Sequence, residues 1–123
     1  MDTSRSSSGA GLRATALVYS GRPDPGWPID ADRAAALVRL LEAAPATEAA
    51  APSPPGLGYR GVRLSSDTGV TWRVYAGVIV EERPGGEPAR RLDPERRVER
   101  AALATAPPGT LPLAWLEGLL DPP

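Results

Sequence analysis

The feature that most constrains the fold is an alternation of apolar and polar residues over residues 70–81, V-T-W-R-V-Y-A-G-V-I-V-E. Successive side chains of a β-strand point to opposite faces of the sheet, so the pattern predicts one strand with a buried face and a solvated face. Only Ile79 interrupts the alternation. Strands of this kind are typical of antiparallel sheets covered on one side. The predicted buried set is Val70, Trp72, Val74, Ala76, Val78 and Val80.

Three further segments complete the predicted sheet. Residues 12–19 are mostly β-branched, aromatic or small, which favours a strand. Residues 57–65 read as another strand, weakened by two glycines, and the short S-S-D-T-G link that follows predicts a hairpin. A turn at E-E-R-P-G-G-E-P precedes a short edge strand at residues 89–92. The sequence therefore predicts three or four mostly antiparallel strands.

Two main helices are predicted beside the sheet. The first is capped by Asp30, carries apolar residues at helical spacing and ends at Pro45. The second starts at Asp93-Pro94, where an acidic N-cap precedes a proline in the first helical position. Residues 110–120 predict two more helical turns. The expected fold class is α+β, with both main helices packed on one face of the sheet.

Length and local composition predict the domain organisation. At 123 residues the chain can bury one modest core, so we expect a single domain over residues 12–120. Residues 1–11 are small and polar and predict a disordered tail, with no signal-peptide pattern. Residues 45–56 are rich in proline and alanine and predict a mobile loop. With no apolar stretch of membrane-spanning length, we expect no membrane contact and a cytoplasmic protein.

Missing residue types exclude several classes of chemistry. The chain has no His, Cys, Lys, Asn or Gln, and its 14 basic residues are all arginine. Zinc, haem and iron–sulfur sites depend mainly on Cys and His, and Schiff-base cofactors require lysine. A carboxylate site for Mg²⁺ or Ca²⁺ stays open on these grounds. Our prediction is no metal, no cofactor, no catalytic residue and no enzymatic activity. The net charge of −1, evenly distributed along the chain, also argues against electrostatic capture of nucleic acid or membrane.

The stretch S-G-R-P-D-P-G-W, residues 20–27, is the first candidate site. Its prolines fix their own φ angles and hold the preceding residues extended, which makes the loop stiff. This loop could be a strand-to-helix connector, or its stiffness could preorganise Arg22 to grip an anion or a carboxylate. The predicted contact residues for a protein partner or a small anionic ligand are Arg22, Asp24, Trp27 and Trp72.

The same stretch carries a resemblance. The order of strand, S-G-R-P-D-P-G-W, acid-capped helix, W-R-V-Y-A-G strand and Arg-rich helix ending T-A-P resembles a group of small bacterial proteins. Those proteins carry S-G-R-P-[ND]-P-x-W near the start. The likeness covers residues 17–107. It implies a compact domain and supplies no activity.

Two alternative functions remain open. Asp67 begins a D-T-G triplet that resembles the catalytic triplet of aspartic proteases, whose single-domain relatives dimerise to pair two carboxylates. A β-turn explains the triplet equally well. In the Arg-rich helix, Arg96, Arg97 and Arg100 could bind nucleic acid weakly, although Glu99 is placed to form an ion pair with Arg96. The function that we predict first is a non-catalytic binding or accessory module.

Overall fold

The alternating run folds as a hairpin and not as one strand. In a computed structural model, which describes residues 11–18, 24–50 and 59–111, it forms β4 (Thr71–Tyr75) and β5 (Val78–Glu82). Ala76 and Gly77 connect them with φ angles of 53° and 94°, as a two-residue type I′ turn requires. The turn resets the alternation. Ile79 is therefore fully buried, whereas Val80 is only partly buried, and the prediction of a single strand is wrong.

The sheet has six strands instead of the three or four predicted. The strand order is β2-β1-β3-β4-β5-β6, and every pairing is antiparallel. The hairpin adds one strand, and the other is β2, in the segment predicted as a connector. There Trp27 pairs with Ala14. The remaining strands are β1 (Arg13–Ala16), β2 (Gly26–Pro28), β3 (Val62–Ser65) and β6 (Ala89–Leu92).

The first helix follows the sequence prediction closely. α1 spans Ala31–Ala43, and the Asp30 carboxylate accepts a hydrogen bond from the backbone N–H of Arg33 at 3.1 Å. Next, residues 45–47 run beside β6, where the Leu92 N–H donates to the Pro45 carbonyl at 2.8 Å. The start of the proline-rich segment therefore covers the outer edge of β6.

The second helix is shorter than the sequence predicts. A 3₁₀ turn at Pro94–Arg96 precedes α2 (Arg97–Leu103), because Glu95 and Arg96 have φ angles of 58° and 55° and cannot continue an α-helix. The buried Asp93 carboxylate spans this break. It accepts hydrogen bonds from the backbone N–H groups of Val98 at 2.8 Å and Glu99 at 3.1 Å. Asp93 thus caps α2 from before the 3₁₀ turn.

The core lies on one face of the sheet. Helix α2 packs against β1, β3 and β4, and α1 packs against α2. Buried side chains of both helices belong to the same cluster as those of the sheet, and the fold is α+β in kind, as predicted. The largest contributors are Trp27, Leu37, Leu41, Val62, Leu64, Trp72, Val74, Ile79, Val98 and Leu103.

Several predicted segments lie outside the described residues. These are residues 1–10 of the predicted tail, residues 51–56 of the predicted loop and residues 112–120 of the predicted last helix. Neither α1 nor α2, the helices that the structure describes, is long and apolar enough to cross a membrane.

Candidate anion-binding face

The face of the sheet opposite the core, which we call the open face, carries exposed arginines. Cross-strand register aligns its side chains in rows, and two of these rows carry its arginines. Side chains on this face have the opposite parity to the buried set, which explains their polar character. The first row is Arg13, Ser65, Thr71 and Glu82, and the second is Thr15, Arg63, Arg73, Val80 and Arg90.

Arg63 and Arg73 lie directly opposite each other on β3 and β4. The Ser66 N–H donates to the Val70 carbonyl at 3.0 Å, which makes Ser66 and Val70 a hydrogen-bonded pair. Since pair types alternate along an antiparallel ladder, the two arginines form a non-hydrogen-bonded pair, with Cα atoms about 4.5 Å apart. Side chains approach most closely in such pairs. Like charges in this arrangement destabilise a sheet.

Within the ranges that the structure describes, these two side chains have no hydrogen-bond or salt-bridge partner, and neither has Arg13. All three are exposed. Arg90, in the same rows, donates only a long hydrogen bond of 3.4 Å to the Glu48 carbonyl. The open face therefore presents guanidinium groups that the described part of the protein leaves unneutralised.

Charge is unevenly divided between the open face and the rest of the protein. The two rows hold four arginines and one acid, Glu82, giving a net charge of +3. The whole chain carries −1, so all other residues together carry −4. A basic face on an acidic protein attracts anions and orients an approaching acidic partner.

A small pocket lies between the two rows. Its volume is about 100 Å³, and it is lined by Arg63, Thr71, Trp72, Arg73, Val80 and Glu82. Pockets that hold cofactors or drug-sized ligands usually have volumes of roughly 300–1,000 Å³. The pocket on the open face can therefore take one small polar group, such as a carboxylate or a phosphate, of a larger partner.

Arginines elsewhere in the fold neutralise buried carboxylates. Glu99 on α2 is fully buried, and Arg96 binds it with both Nε and Nη2 at 3.0 Å, which confirms the predicted ion pair. The Tyr59 hydroxyl also donates to Glu99, and the Ala76 N–H donates to it at 3.2 Å. Burial, followed by the Glu99 charge, raises the pKa of Tyr59 above its ordinary value of 10, so the phenol stays a donor.

A second buried carboxylate, Glu81 on β5, has a similar environment. It accepts hydrogen bonds from Trp72 Nε1 and Arg83 Nε, each at 2.9 Å, and Arg91 Nε lies 3.5 Å from its Oε1. Burial alone would raise the pKa of Glu81, but the hydrogen bonds from Trp72 and Arg83 outweigh it and lower the pKa below 4.5. Arg91 also donates to the Ala44 carbonyl at the end of α1, at 2.8 Å.

The structure describes three of the four residues of the predicted contact surface. Arg22 lies outside the described residues. Asp24 accepts a hydrogen bond from the Val18 N–H at 2.9 Å and lies 3.8 Å from Arg60 Nη2, so it fastens the loop to its neighbours. The proposed role of this loop in binding a partner stays a prediction.

Both predicted tryptophans are core residues. Trp27 is 2% exposed, and its Nε1 donates to the Thr105 hydroxyl at 2.8 Å. Trp72 is 6% exposed and bonds to Glu81. Strands β1 and β3 separate the two indoles. Each indole is buried with its N–H satisfied and packs in the core, so a role of either one in partner contact stays a prediction.

The structure also shows the surroundings of the residues on which the two alternative functions depend. Asp67 is exposed in the turn between β3 and β4, where the Gly69 N–H donates to the Ser66 carbonyl at 3.2 Å, as in a β-turn. In the Arg-rich helix, Arg97 lies 3.8 Å from the Glu95 carboxylate, and Arg100 donates to the Glu95 carbonyl at 3.3 Å. Arg96 is held by Glu99. The protease and nucleic-acid functions stay predictions.

The arginines of the open face were not predicted as a site because they are far apart along the chain. The densest run of arginines in the sequence lies instead at residues 90–100. For two arginines of the open face, the sequence does contain a pattern that indicates their position. Arg63 and Arg73 occupy the polar parity of two predicted strands joined by a short turn, and the register of that hairpin places them opposite each other.

Comparisons with protein-family models, curated proteins and solved structures found no match. Across residues 11–18, 24–50 and 59–111, no group of three His, Cys, Asp or Glu side chains is placed to hold a metal ion. The geometry and charge of the open face are therefore the features from which a function is proposed.

Proposed function

We propose that the protein is a non-catalytic binding module whose open face binds an acidic segment of a partner protein. The observation that carries the proposal is the Arg63–Arg73 pair, which is exposed, directly opposed and unneutralised by any described residue. Two cations in this position cost stability unless an anion from outside joins them. An external carboxylate would relieve the repulsion and gain charge-assisted hydrogen bonds.

The sheet supports these arginines on a rigid base. Both sit in the middle of four- and five-residue strands that are paired on both sides, with β1 beside β3 and β5 beside β4. Strand pairing fixes the backbone of each arginine before a partner arrives. Less order is therefore lost on binding than with arginines on loops.

The size of the open face fits a short extended segment. The second row crosses five strands, β1, β3, β4, β5 and β6, and four spacings of about 4.8 Å give a width of about 19 Å. An extended chain covers this distance with about six residues, at roughly 3.3 Å each. Such a contact is small, so we expect transient binding that weakens with salt.

The three buried carboxylates support a non-catalytic role. Glu81 and Glu99 each accept several hydrogen bonds or ion pairs from neighbouring side chains, and Asp93 caps α2. Burial raises the pKa of Asp93, yet both its oxygens are engaged by backbone N–H groups. All three carboxylates thus have a structural partner, and we assign no reaction to them.

The test is a titration of the protein against a fluorescein-labelled peptide of ten glutamates, followed by fluorescence anisotropy at low and moderate salt. The variant is Arg63→Gln/Arg73→Gln, and the matched control is Arg39→Gln/Arg97→Gln, which removes the same charge from exposed positions on α1 and α2. We expect the first variant to weaken binding about tenfold, because it loses charge-assisted hydrogen bonds. The control should change it by less than about threefold.

Equal weakening in both variants would show that net charge alone governs binding and would contradict the proposal. Failure of the native protein to bind the peptide at low salt would also contradict it.

A further inference from the structure

We infer that the Arg63–Arg73 pair is a subsite for a phosphorylated side chain in the acidic segment of the partner. The inference rests on the proposed function and names the group that the open face binds most tightly. Its starting point is charge. Two adjacent guanidinium groups carry +2, and no described carboxylate forms an ion pair with them. A phosphomonoester carries about −1.5 to −2 at pH 7, whereas a carboxylate carries only −1.

The geometry of the donors favours the same group. A guanidinium presents a planar fork of N–H donors that matches phosphate oxygens in pairs. Arg63 and Arg73, on neighbouring strands in a closely spaced pair, can each grip one side of a single phosphate. Thr71, which lies on the same face and lines the pocket, offers a hydroxyl donor beside them. A phosphate offers three oxygens to the two forks, whereas a carboxylate offers two.

The pocket matches one phosphate and the stem that carries it. Its volume of about 100 Å³ suits a single small group, and Val80 provides an apolar wall for the carbon atoms of a side chain. Val80 lies directly opposite Arg73, so this wall adjoins the charged pair.

Nucleic acid fits this face less well. Glu82 lines the pocket and would repel a continuous chain of phosphodiesters. The two rows contain no aromatic residue on which an unpaired base could stack, and Tyr75, in the next row, packs against Tyr59. Stacking contributes much of the affinity for single strands. One phosphate in a short protein segment needs neither a continuous chain of phosphodiesters along the face nor a platform for base stacking.

The experiment uses the full chain and three labelled nonapeptides that differ only at the central residue, which is serine, phosphoserine or glutamate, with glutamates on both sides. We expect the phosphoserine peptide to bind about tenfold more tightly than the serine peptide, and the glutamate peptide to stay within threefold of the serine peptide. The Arg63→Gln/Arg73→Gln variant should remove the preference. Arg63→Lys/Arg73→Lys keeps the charge without the planar forks and should retain only part of it.

Measuring the peptide affinities over a range of pH distinguishes recognition of the phosphate from attraction to any acidic peptide. The second pKa of a phosphomonoester is about 6, so the preference for phosphoserine over glutamate should shrink as the pH falls from 7.5 to 5. Arginine stays charged over that range. Circular dichroism melts of each variant verify that loss of preference does not reflect unfolding.

The outcomes separate the inference from the proposed function. If all three peptides bind equally and the glutamine variant weakens all of them, the phosphate inference fails and the proposed function stands. If no peptide binds the native protein, both fail. Tighter binding of a single-stranded oligonucleotide than of the phosphopeptide would overturn both in favour of nucleic acid. Competition by inorganic phosphate as strong as that of the phosphopeptide would show a site for free phosphate and overturn the inference.

Discussion

Two sets of arginines in this protein have opposite surroundings. Arg91 and Arg96 lie against buried carboxylates, and each also reaches a second element of the fold or a second oxygen. Arg63 and Arg73 project from the middle of the sheet into solvent, and no described carboxylate pairs with either. All four are the same residue type. The difference teaches that an arginine's role depends on whether the fold provides a carboxylate for it.

The internal set exists because Glu81 and Glu99 are buried. A buried carboxylate is very costly unless it is paired and hydrogen-bonded, and each of these accepts bonds from an arginine and from an aromatic side chain. On the open face the only acid in the two rows is Glu82, and it forms no ion pair among the described residues. Substitutions that break the buried pairs should therefore lower the stability of the fold, whereas substitutions of the open-face arginines should weaken peptide binding.

The largest loss of stability should come from Glu99→Gln. The substitution keeps the shape of the side chain but removes the charge that Arg96, Tyr59 and the Ala76 N–H share. Breaking a buried ion pair by removing one partner typically costs 3–5 kcal/mol, and because Arg96 is partly exposed we expect about 3 kcal/mol. Urea unfolding at pH 7 measures it. Glu95→Gln, an exposed acid paired with Arg97, is the control and should change stability by less than about 0.5 kcal/mol. Similar losses of stability in Glu99→Gln and Glu95→Gln would contradict the claim that the buried ion pair stabilises the fold more than the exposed one.

Glu81→Gln should cause the next largest loss of stability, and the size of this loss should depend on pH. Because the folded pKa of Glu81 is lowered, the folded state binds fewer protons than the unfolded state just below pH 4.5. Its stabilisation is present above pH 4.5 and is lost as the pH falls through the folded pKa. We expect a loss of about 2 kcal/mol at pH 7, the size of hydrogen bonds to a charged group. The gap between native protein and variant should narrow below pH 4.5, and a gap independent of pH would refute this role.

Trp27→Phe should have a smaller effect. Phenylalanine fills most of the indole's space but leaves the Thr105 hydroxyl without its donor. The loss of one buried hydrogen bond and some packing predicts about 1–2 kcal/mol. Peptide binding by the open face should not change, since Trp27 points into the core from β2. A selective loss of binding with normal stability would restore Trp27 as a contact residue.

Local signals explain what could be predicted from the sequence. Asp30 has the spacing and chemistry of an N-cap, and α1 begins after it. The hairpin at Ala76-Gly77 was missed because it lacks the Asn-Gly or Asp-Gly pair that usually marks such turns. Strand β2 was missed because Pro25 and Pro28 flank Trp27, and its pairing with β1 depends on tertiary context.

The candidate site depends on register, which composition does not reveal. That Arg63 faces solvent follows from the alternation around it, but that it lies opposite Arg73 depends on where the hairpin turns. Two glycines made the start of β3 uncertain, so the sequence left this register open. Conversely, the Arg-rich run at residues 90–100 looked like a patch, and the fold turns Arg91 and Arg96 inward onto carboxylates.

The unfolding free energy of Arg63→Gln/Arg73→Gln, measured in urea beside the native protein, tests the separation of the two arginine sets most directly. If the open-face arginines take no part in holding the fold, the variant should be as stable as the native protein, or more stable by a few tenths of a kcal/mol through relief of like-charge repulsion. A loss of more than about 1 kcal/mol, in the range typical of removed structural interactions, would show that these arginines hold the fold together and are not reserved for a partner.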